Sequence, residues 1–296
     1  MTLFYTVIGL FFLVCSVVEY RINLKSENNY YSKSDFVSSI KLMLAGAFLD
    51  LMIKAVAVVL FLKLYEYSLL RLGYQWWVWG ICYLAWDLVF YFKHYLEHNV
   101  RFMWAIHVNH HSSPYMNLST ALRSGVLKSG YRYFFWAVLI FIGFPVPMFL
   151  IVYAVGKLWA FFSHSRKLGT WGIFEKFTVT PTHHWLHHSY NENNLNKNFG
   201  ETFLFWDYLF STFKKVNEPL KFGIEKKVDF DDFGDVVFHE FKSMQRDWRR
   251  AGNRKEKLLI IFGKPGYKPK VKQDPVFRES VFSGFDFEPM QESHSE

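Results

Sequence analysis

The chain has 296 residues, 51% of them hydrophobic and 21% aromatic, and a formal net charge of +8. That exceeds the apolar and aromatic stock an ordinary soluble domain needs for its core, so a membrane class has to be tested first. No nucleic-acid motif accompanies the basic charge, which favours contact with an anionic leaflet over contact with nucleic acid.

Four apolar runs follow in chain order: Leu3 to Val18, Leu42 to Leu62, Trp76 to Phe92, and Tyr133 to Phe162. Each is near the roughly 17–25 residues a helix needs to cross a hydrocarbon core of about 30 Å. The first has no basic residue ahead of it, and Glu19, Tyr20 and Arg21 follow where a signal peptide would carry a small-residue cleavage site, so it reads as a retained helix. A polar loop, Glu19 to Asp35, leads to the second run. The second and third runs predict a hairpin around Tyr67 to Gln75. Cys15 and Cys82 both lie inside apolar runs and read as packing residues, since neither a disulfide framework nor thiolate metal ligation is easily built there.

The fourth run is interrupted by Gly143, Pro145, Val146 and Pro147. Proline inside a helix removes a hydrogen bond and clashes with the preceding turn, so the run predicts two short helices joined at this point, the first starting near Ser124. Such a hairpin returns His164 to the side of the membrane that carries His94; one straight helix would leave it across the bilayer.

Ten of the twelve histidines fall between His94 and His188. HYLEH places His94 and His98 one helical turn apart, and HVNHH places His107, His110 and His111 on one face. HHWLHH repeats that spacing with His184, His187 and His188, with His183 as an extra member, and His164 stands alone between the groups. One such pair on a helix is more often a packed or surface pair than a ligand set. Three groups at the ends of apolar spans make sense together only if they converge on metal. Eight to ten imidazoles exceed the four ligands of one structural zinc, which implies two ions. A dioxygen-binding iron pair and a non-redox zinc pair, hydrolytic or structural, both remain open at this level.

The order HYLEH, HVNHHSS, NLSTALR, TPTHHWLHH, NFG and WDYLFST resembles the fatty acid hydroxylase superfamily, also called the sterol desaturase family, from about Asp87 to Phe213. HHSS followed by NLSTALR is most similar to its alkylglycerol monooxygenase branch. The resemblance implies an all-α, polytopic membrane protein with four to five embedded helices, the Pro-kinked hairpin included, under a cytoplasmic histidine-rich cap. It implies two non-haem iron ions, dioxygen and an electron source acting to hydroxylate or desaturate a lipid or sterol-like substrate. His94, His98, His107, His110, His111, His184, His187 and His188 match the family's three histidine boxes; His164 and His183 match histidines seen in part of the family. Tetrahydrobiopterin is implied by the branch alone. Asn99, Tyr95, Asn196 and Ser211 depart from the branch's Glu and the family's Arg, Asp and Gly, at positions that bear on substrate and loops more than on metal.

Metal-bound imidazoles commonly donate their second N–H to a carboxylate or carbonyl. Asp87, two turns before His94 in an apolar run, is the first choice for that role, with Asp207 and Glu201 behind it. Asn117, Arg123 and Asn198 match family positions and could tie loops together. The chain carries no haem-binding domain, iron–sulfur cysteine pattern or GxGxxG fingerprint, so a separate reductase or diffusible reductant is required. Residues 1–213 are expected to form the membrane and histidine-box unit and 214–296 a small cap with a loosely ordered tail. His239 and His294 lie outside the patterned boxes. The basic residues place the boxes on the cytoplasmic side, and a C-terminus without a retrieval signal favours a bacterial inner membrane over the endoplasmic reticulum.

Overall fold

The computed structural model describes residues 2–26, 30–226 and 228–270. Among these residues no strand forms; two isolated bridges, Thr178 with Phe203 and Ser189 with Phe222, are the only sheet-like pairings. The helices are α1 (Thr2–Asn23), α2 (Lys33–Glu66), α3 (Trp76–Asn99), α4 (Arg101–His111), α5 (Leu118–Leu122), α6 (Ser129–Ile142), α7 (Val146–Ser163), α8 (Pro181–His188), α9 (Phe205–Leu209), α10 (Phe233–Arg250) and α11 (Arg254–Phe262).

Three of them are long and apolar enough to cross a membrane: α1 over Thr6–Asn23, α2, and α7. The chain is an integral membrane protein built around them. Helix α2 has 34 residues, about 51 Å at 1.5 Å per residue, and so outruns a hydrocarbon core of about 30 Å. It starts nine residues ahead of its apolar run because Ser32 caps it, the Ser32 hydroxyl accepting from the Asp35 amide at 3.1 Å. This projecting first part buries Asp35, Ser38 and Ser39, which face the polar cap rather than lipid.

Helices α6 and α7 form the expected hairpin. Gly143 ends α6 at φ 125°, and a Cβ there would stand 2.2 Å from the Leu70 carbonyl oxygen, so the turn requires glycine. Leu69 and Leu70 donate their amides to the carbonyls of Phe141 and Ile142 at 2.8 and 3.0 Å, which ties the α2–α3 connection to the α6–α7 turn. Pro147 falls in the first turn of α7, where no helical hydrogen bond is lost. Helix α6 begins at Ser129 rather than near Ser124, because Val126–Lys128 form a 3-10 turn and Gly125 is pressed against Ile106, a Cβ there meeting the Ile106 carbonyl at 2.2 Å.

The apolar core joins α2, α3, α6 and α7 through Phe61, Cys82, Trp86, Trp136 and Phe149. Trp86 and Trp136 stack with ring centroids 6.1 Å apart. Beyond the core, α4 is covered by α10 and α11. Arg101, 1% exposed, pairs with Glu240 at 2.8 Å and with Asp247 at 2.7 Å, and its amide donates to the Gly263 carbonyl at 2.8 Å. The tail expected after this cap, from residue 271 and including His294, lies outside the described residues.

Helices α3 and α7 approach so closely at Gly156 that a Cβ would stand 1.8 Å from the Trp86 indole. Gly156→Ala is therefore expected to lower stability by about 1–3 kcal/mol through overpacking, read as a reduced thermal midpoint in neutral detergent, with Gly130→Ala, which meets nothing within 4 Å, as the control.

Candidate metal centre

Two helix ends, one whole helix and one helix cap converge at the polar end of the core. His94 and His98 come from the last turns of α3, His107, His110 and His111 from α4, His164 from the cap of α7, and His184, His187 and His188 from α8. They sort into two groups, His94, His98, His107, His111 and His187, and His110, His164, His184 and His188, each with its ligand atoms within 4.8 Å of one another. The groups touch where the His111 and His188 rings stack, with centroids 4.3 Å apart and planes 21° apart.

Ring nitrogens face one another inside the groups. Nε2 of His107 is 3.2 Å from Nε2 of His111, that of His164 is 3.2 Å from His110 and 3.0 Å from His184, and that of His188 is 3.1 Å from His184. Nε2 of His98 and of His187 are buried with no hydrogen-bond partner. A buried polar atom without a partner costs about 1–3 kcal/mol, and facing nitrogens share too few protons to satisfy all of them. A metal ion bonded at about 2.1 Å to each ring answers both deficits, so each group could hold one.

Three rings have their orientation set from behind. Nδ1–H of His94 donates to the Phe199 carbonyl at 2.9 Å, that of His187 to Lys197 at 2.9 Å, and that of His164 to Ala160 at 2.7 Å. A carbonyl can only accept, so each Nε2 keeps its lone pair for the centre. Burial, followed by neighbouring cations and imidazoles, pushes His107, His110, His111, His184 and His188 well below the usual histidine range. Burial takes His187 down to about 4 and His164 to about 3. The rings are thus neutral, which is the form that binds metal.

His183 joins neither group. It occupies the third position of α8, where its Nδ1 accepts from the Thr180 amide at 3.2 Å and completes a capping box behind Pro181. Its place three residues after Thr180 makes it a cap. His239, on α10, directs Nδ1 to the Val236 carbonyl at 3.1 Å and takes no part.

Asp87 does not reach an imidazole. Its carboxylate accepts from the amides of Thr202 and Phe203 at 2.9 and 3.2 Å and from Nε1 of Trp206 at 3.0 Å. Asp207 accepts from the Phe199 and Gly200 amides at 2.7 and 3.0 Å. Both acids therefore act through the turn whose Phe199 carbonyl orients His94. Asn198, at φ 55°, closes the same turn by accepting from the Lys214 amide at 2.8 Å. Arg123 is fully buried and spans from Asp35, at 2.9 Å, to the Asn109 carbonyl and Ser112 of the α4 end, at 3.1 and 2.9 Å. Asn117 caps α5 and donates to the Tyr30 carbonyl at 2.6 Å. Glu201 pairs with Lys157 at 2.5 Å.

Sequence reasoning missed Glu97. It is buried inside HYLEH and accepts from Lys93 at 2.8 Å and Tyr131 at 2.5 Å, with Lys128 at 3.3 Å and Nδ1 of His107 at 3.6 Å. Its place four residues after Lys93, in the middle of a metal motif, was the available signal.

Residues 79–212 match the Fatty acid hydroxylase family model. The chain is 28% identical over 249 residues to an alkylglycerol monooxygenase of Danio rerio, covering 83% of this chain and 55% of that protein. It is 32% identical over 194 residues to an alkylglycerol monooxygenase of Homo sapiens, covering 65% and 43%. The ornithine lipid hydroxylase OlsE of Rhizobium tropici is 28% identical over 141 residues, covering 47% and 43%. The chain thus spans about half the length of the curated relatives it matches, and no solved structure matches it significantly.

Two outcomes follow from this geometry. Arg123→Met strands the buried Asp35 carboxylate and releases the end of α4, so stability should fall by about 3 kcal/mol, with weaker retention of any metal measured by dialysis against chelator. Metal-free protein should lose stability as the pH falls from the unfolded histidine value of about 6.5 through the His187 and His164 values of about 4 and about 3. The sign follows because unfolded chains bind protons there that the buried rings refuse; thermal midpoints across that range check it.

Proposed function

We propose that this chain is a membrane-embedded lipid hydroxylase whose two histidine groups hold two non-haem iron ions, and which uses dioxygen and an external reductant. The observation that carries the reading is the pair of contiguous all-histidine groups, nine rings in all, at the end of apolar helices. His94, His98, His107, His111 and His187 would hold one ion and His110, His164, His184 and His188 the other. Bound there, iron supplies reductive activation of dioxygen for attack on an unactivated C–H bond. Hydroxylation is preferred over desaturation because the relatives' names describe monooxygenases and a hydroxylase.

The chain's own residues position and shield. A cavity of about 240 Å³ lies against His94, His107, His110, His164 and His184, with Phe90, Trp136 and Tyr153 among its walls, so a substrate carbon can reach the rings. The carbonyls of Phe199, Lys197 and Ala160 hold their rings to one tautomer throughout. Electrons would come from a separate donor, with tetrahydrobiopterin, implied by the family resemblance, as the first to test. Lys and Arg near the histidine helices support a cytoplasmic placement of the centre, in a bacterial inner membrane or, in a eukaryote, the endoplasmic reticulum.

Metal content of anaerobically purified protein decides the reading. About two irons per chain are expected from the two groups. His110→Ala and His187→Ala should each lose metal and abolish hydroxylation, whereas His183→Ala should keep its metal with some loss of stability from the broken cap, roughly 1 kcal/mol. Tightly held zinc in place of iron would replace the oxidative reading with a hydrolytic or structural one.

A further inference from the structure

The cavity against the histidines continues toward the membrane. A second cavity of about 230 Å³ shares Phe12, Arg132, Trp136, Tyr153 and Lys157 with the first and adds Ile8 and Gly9 of α1 and Phe149 and Leu150 of α7. Its lining is what an aliphatic chain requires. The charges around it are not. Six cations, Lys54, Lys93, Arg123, Lys128, Arg132 and Lys157, line the two cavities, against two carboxylates on the walls, Asp50 and Glu201. Two more stand just behind, Asp35 on Arg123 and Glu97 shared between Lys93 and Lys128.

Cations in excess of carboxylates are costly at membrane depth and mark a place where an anion is received. The surplus is local. Lys128 has only a share of Glu97, at 3.3 Å, and lies 3.5 Å from Nδ1 of His107. Arg132 is one turn further along, about 6 Å; it pairs with Asp50, yet its buried Nε–H has no partner. Lys157 faces the same space from α7. Nine neutral imidazoles bring no negative charge to offset metal either, so an occupied centre strengthens the pull. By contrast the third cavity, about 370 Å³ on the far side of His98 and His187, is lined by Glu192 and Glu225 with Lys264, so carboxylates outnumber cations there.

We propose that the lipid taken by this site is a single-chain or chain-extended lipid with an anionic phosphate or carboxylate headgroup. The headgroup is held by Arg132 and Lys157, which line both cavities, together with Lys128 of the first, and the chain runs into the second cavity between α1 and α7. The atoms that reach the histidines then belong to the polar end of the lipid, so oxidation falls within a few bonds of the headgroup and not far along the chain. This rests on the hydroxylase reading for the word oxidation; the binding site itself does not.

The test is equilibrium binding to metal-free protein in a neutral maltoside detergent, read by tryptophan fluorescence, with hexadecyl phosphate, 1-O-hexadecylglycerol and inorganic phosphate as probes. Hexadecyl phosphate should bind at least about tenfold more tightly than the glycerol ether, the ratio one charge-assisted hydrogen bond supplies. Lys128→Gln, which leaves Glu97 with Lys93 and Tyr131, should remove most of that preference and leave the glycerol ether's affinity unchanged; a merely structural lysine would weaken both probes alike. Equal affinities in the unmutated protein overturn the proposal whether or not the variant folds. Inorganic phosphate matching hexadecyl phosphate would mean a free-anion site and overturn the lipid headgroup. Metal content is measured on the anaerobically purified protein before its metal is removed: iron bound without headgroup preference leaves the hydroxylase reading standing and removes this one, and the reverse result does the opposite.

Discussion

Everything in this fold answers to one constraint: nine imidazoles, eight of them buried and His110 half-buried, have to be held together, neutral and turned inward, at the end of an apolar helix bundle. An imidazole released from water must find partners for both nitrogens. Here the inner nitrogens of His107, His110, His111, His164, His184 and His188 confront one another, and the outer ones of His94, His164 and His187 are taken by backbone carbonyls. The carbonyl of Phe199 does this for His94 because Asp207 clamps the Phe199 and Gly200 amides and Asp87 clamps those of Thr202 and Phe203. Two carboxylates that never touch a ring thus fix its tautomer from one shell further out.

The same constraint explains why charged side chains penetrate so far down the bundle. Arg123 stitches the projecting first turns of α2 to the end of α4 through Asp35, Asn109 and Ser112, and the α4 helix is held from outside by Arg101 with Glu240 and Asp247. Helix α4 carries three of the nine rings on eleven residues. So short a helix has little stability of its own, and the buried ion pairs at its two ends fix its direction.

The rings and the hairpin were legible because both rest on local rules. Repeats at three and four residues are read directly from HYLEH, HVNHH and HHWLHH. Gly143 with Pro145 and Pro147 breaks a helix whatever surrounds it, and that break alone returns His164 to the centre. The role of Asp87 was not legible, since its partners lie 115 to 119 residues away and spacing along α3 suggested a nearer one. His183 shows the opposite failure. Thr180 and Pro181 ahead of it spell a helix start, but a histidine beside three ligand-spaced ones in HHWLHH fits metal ligation as readily as capping. The start of α6 slipped because Gly125 serves a long-range contact with Ile106 that no local pattern encodes.

The departures from the family motif can now be placed. Tyr95 is 40% exposed, and the amide of Asn99 turns back to the Tyr95 carbonyl at 2.8 Å; both sit on the outer face of α3, turned away from the inward rings of His94 and His98. Asn196 and Ser211 hold φ near 58°, a conformation that asparagine tolerates and serine pays about 1–2 kcal/mol to adopt relative to glycine. That cost falls on the turn carrying Asn198 and Asp207, which the Asp207 carboxylate and the Thr212 hydroxyl, 2.7 Å apart, restrain. None of these four positions belongs to the two histidine groups, so what differs there acts on turns and on the surroundings of α3, and the nine nitrogens keep their places without it.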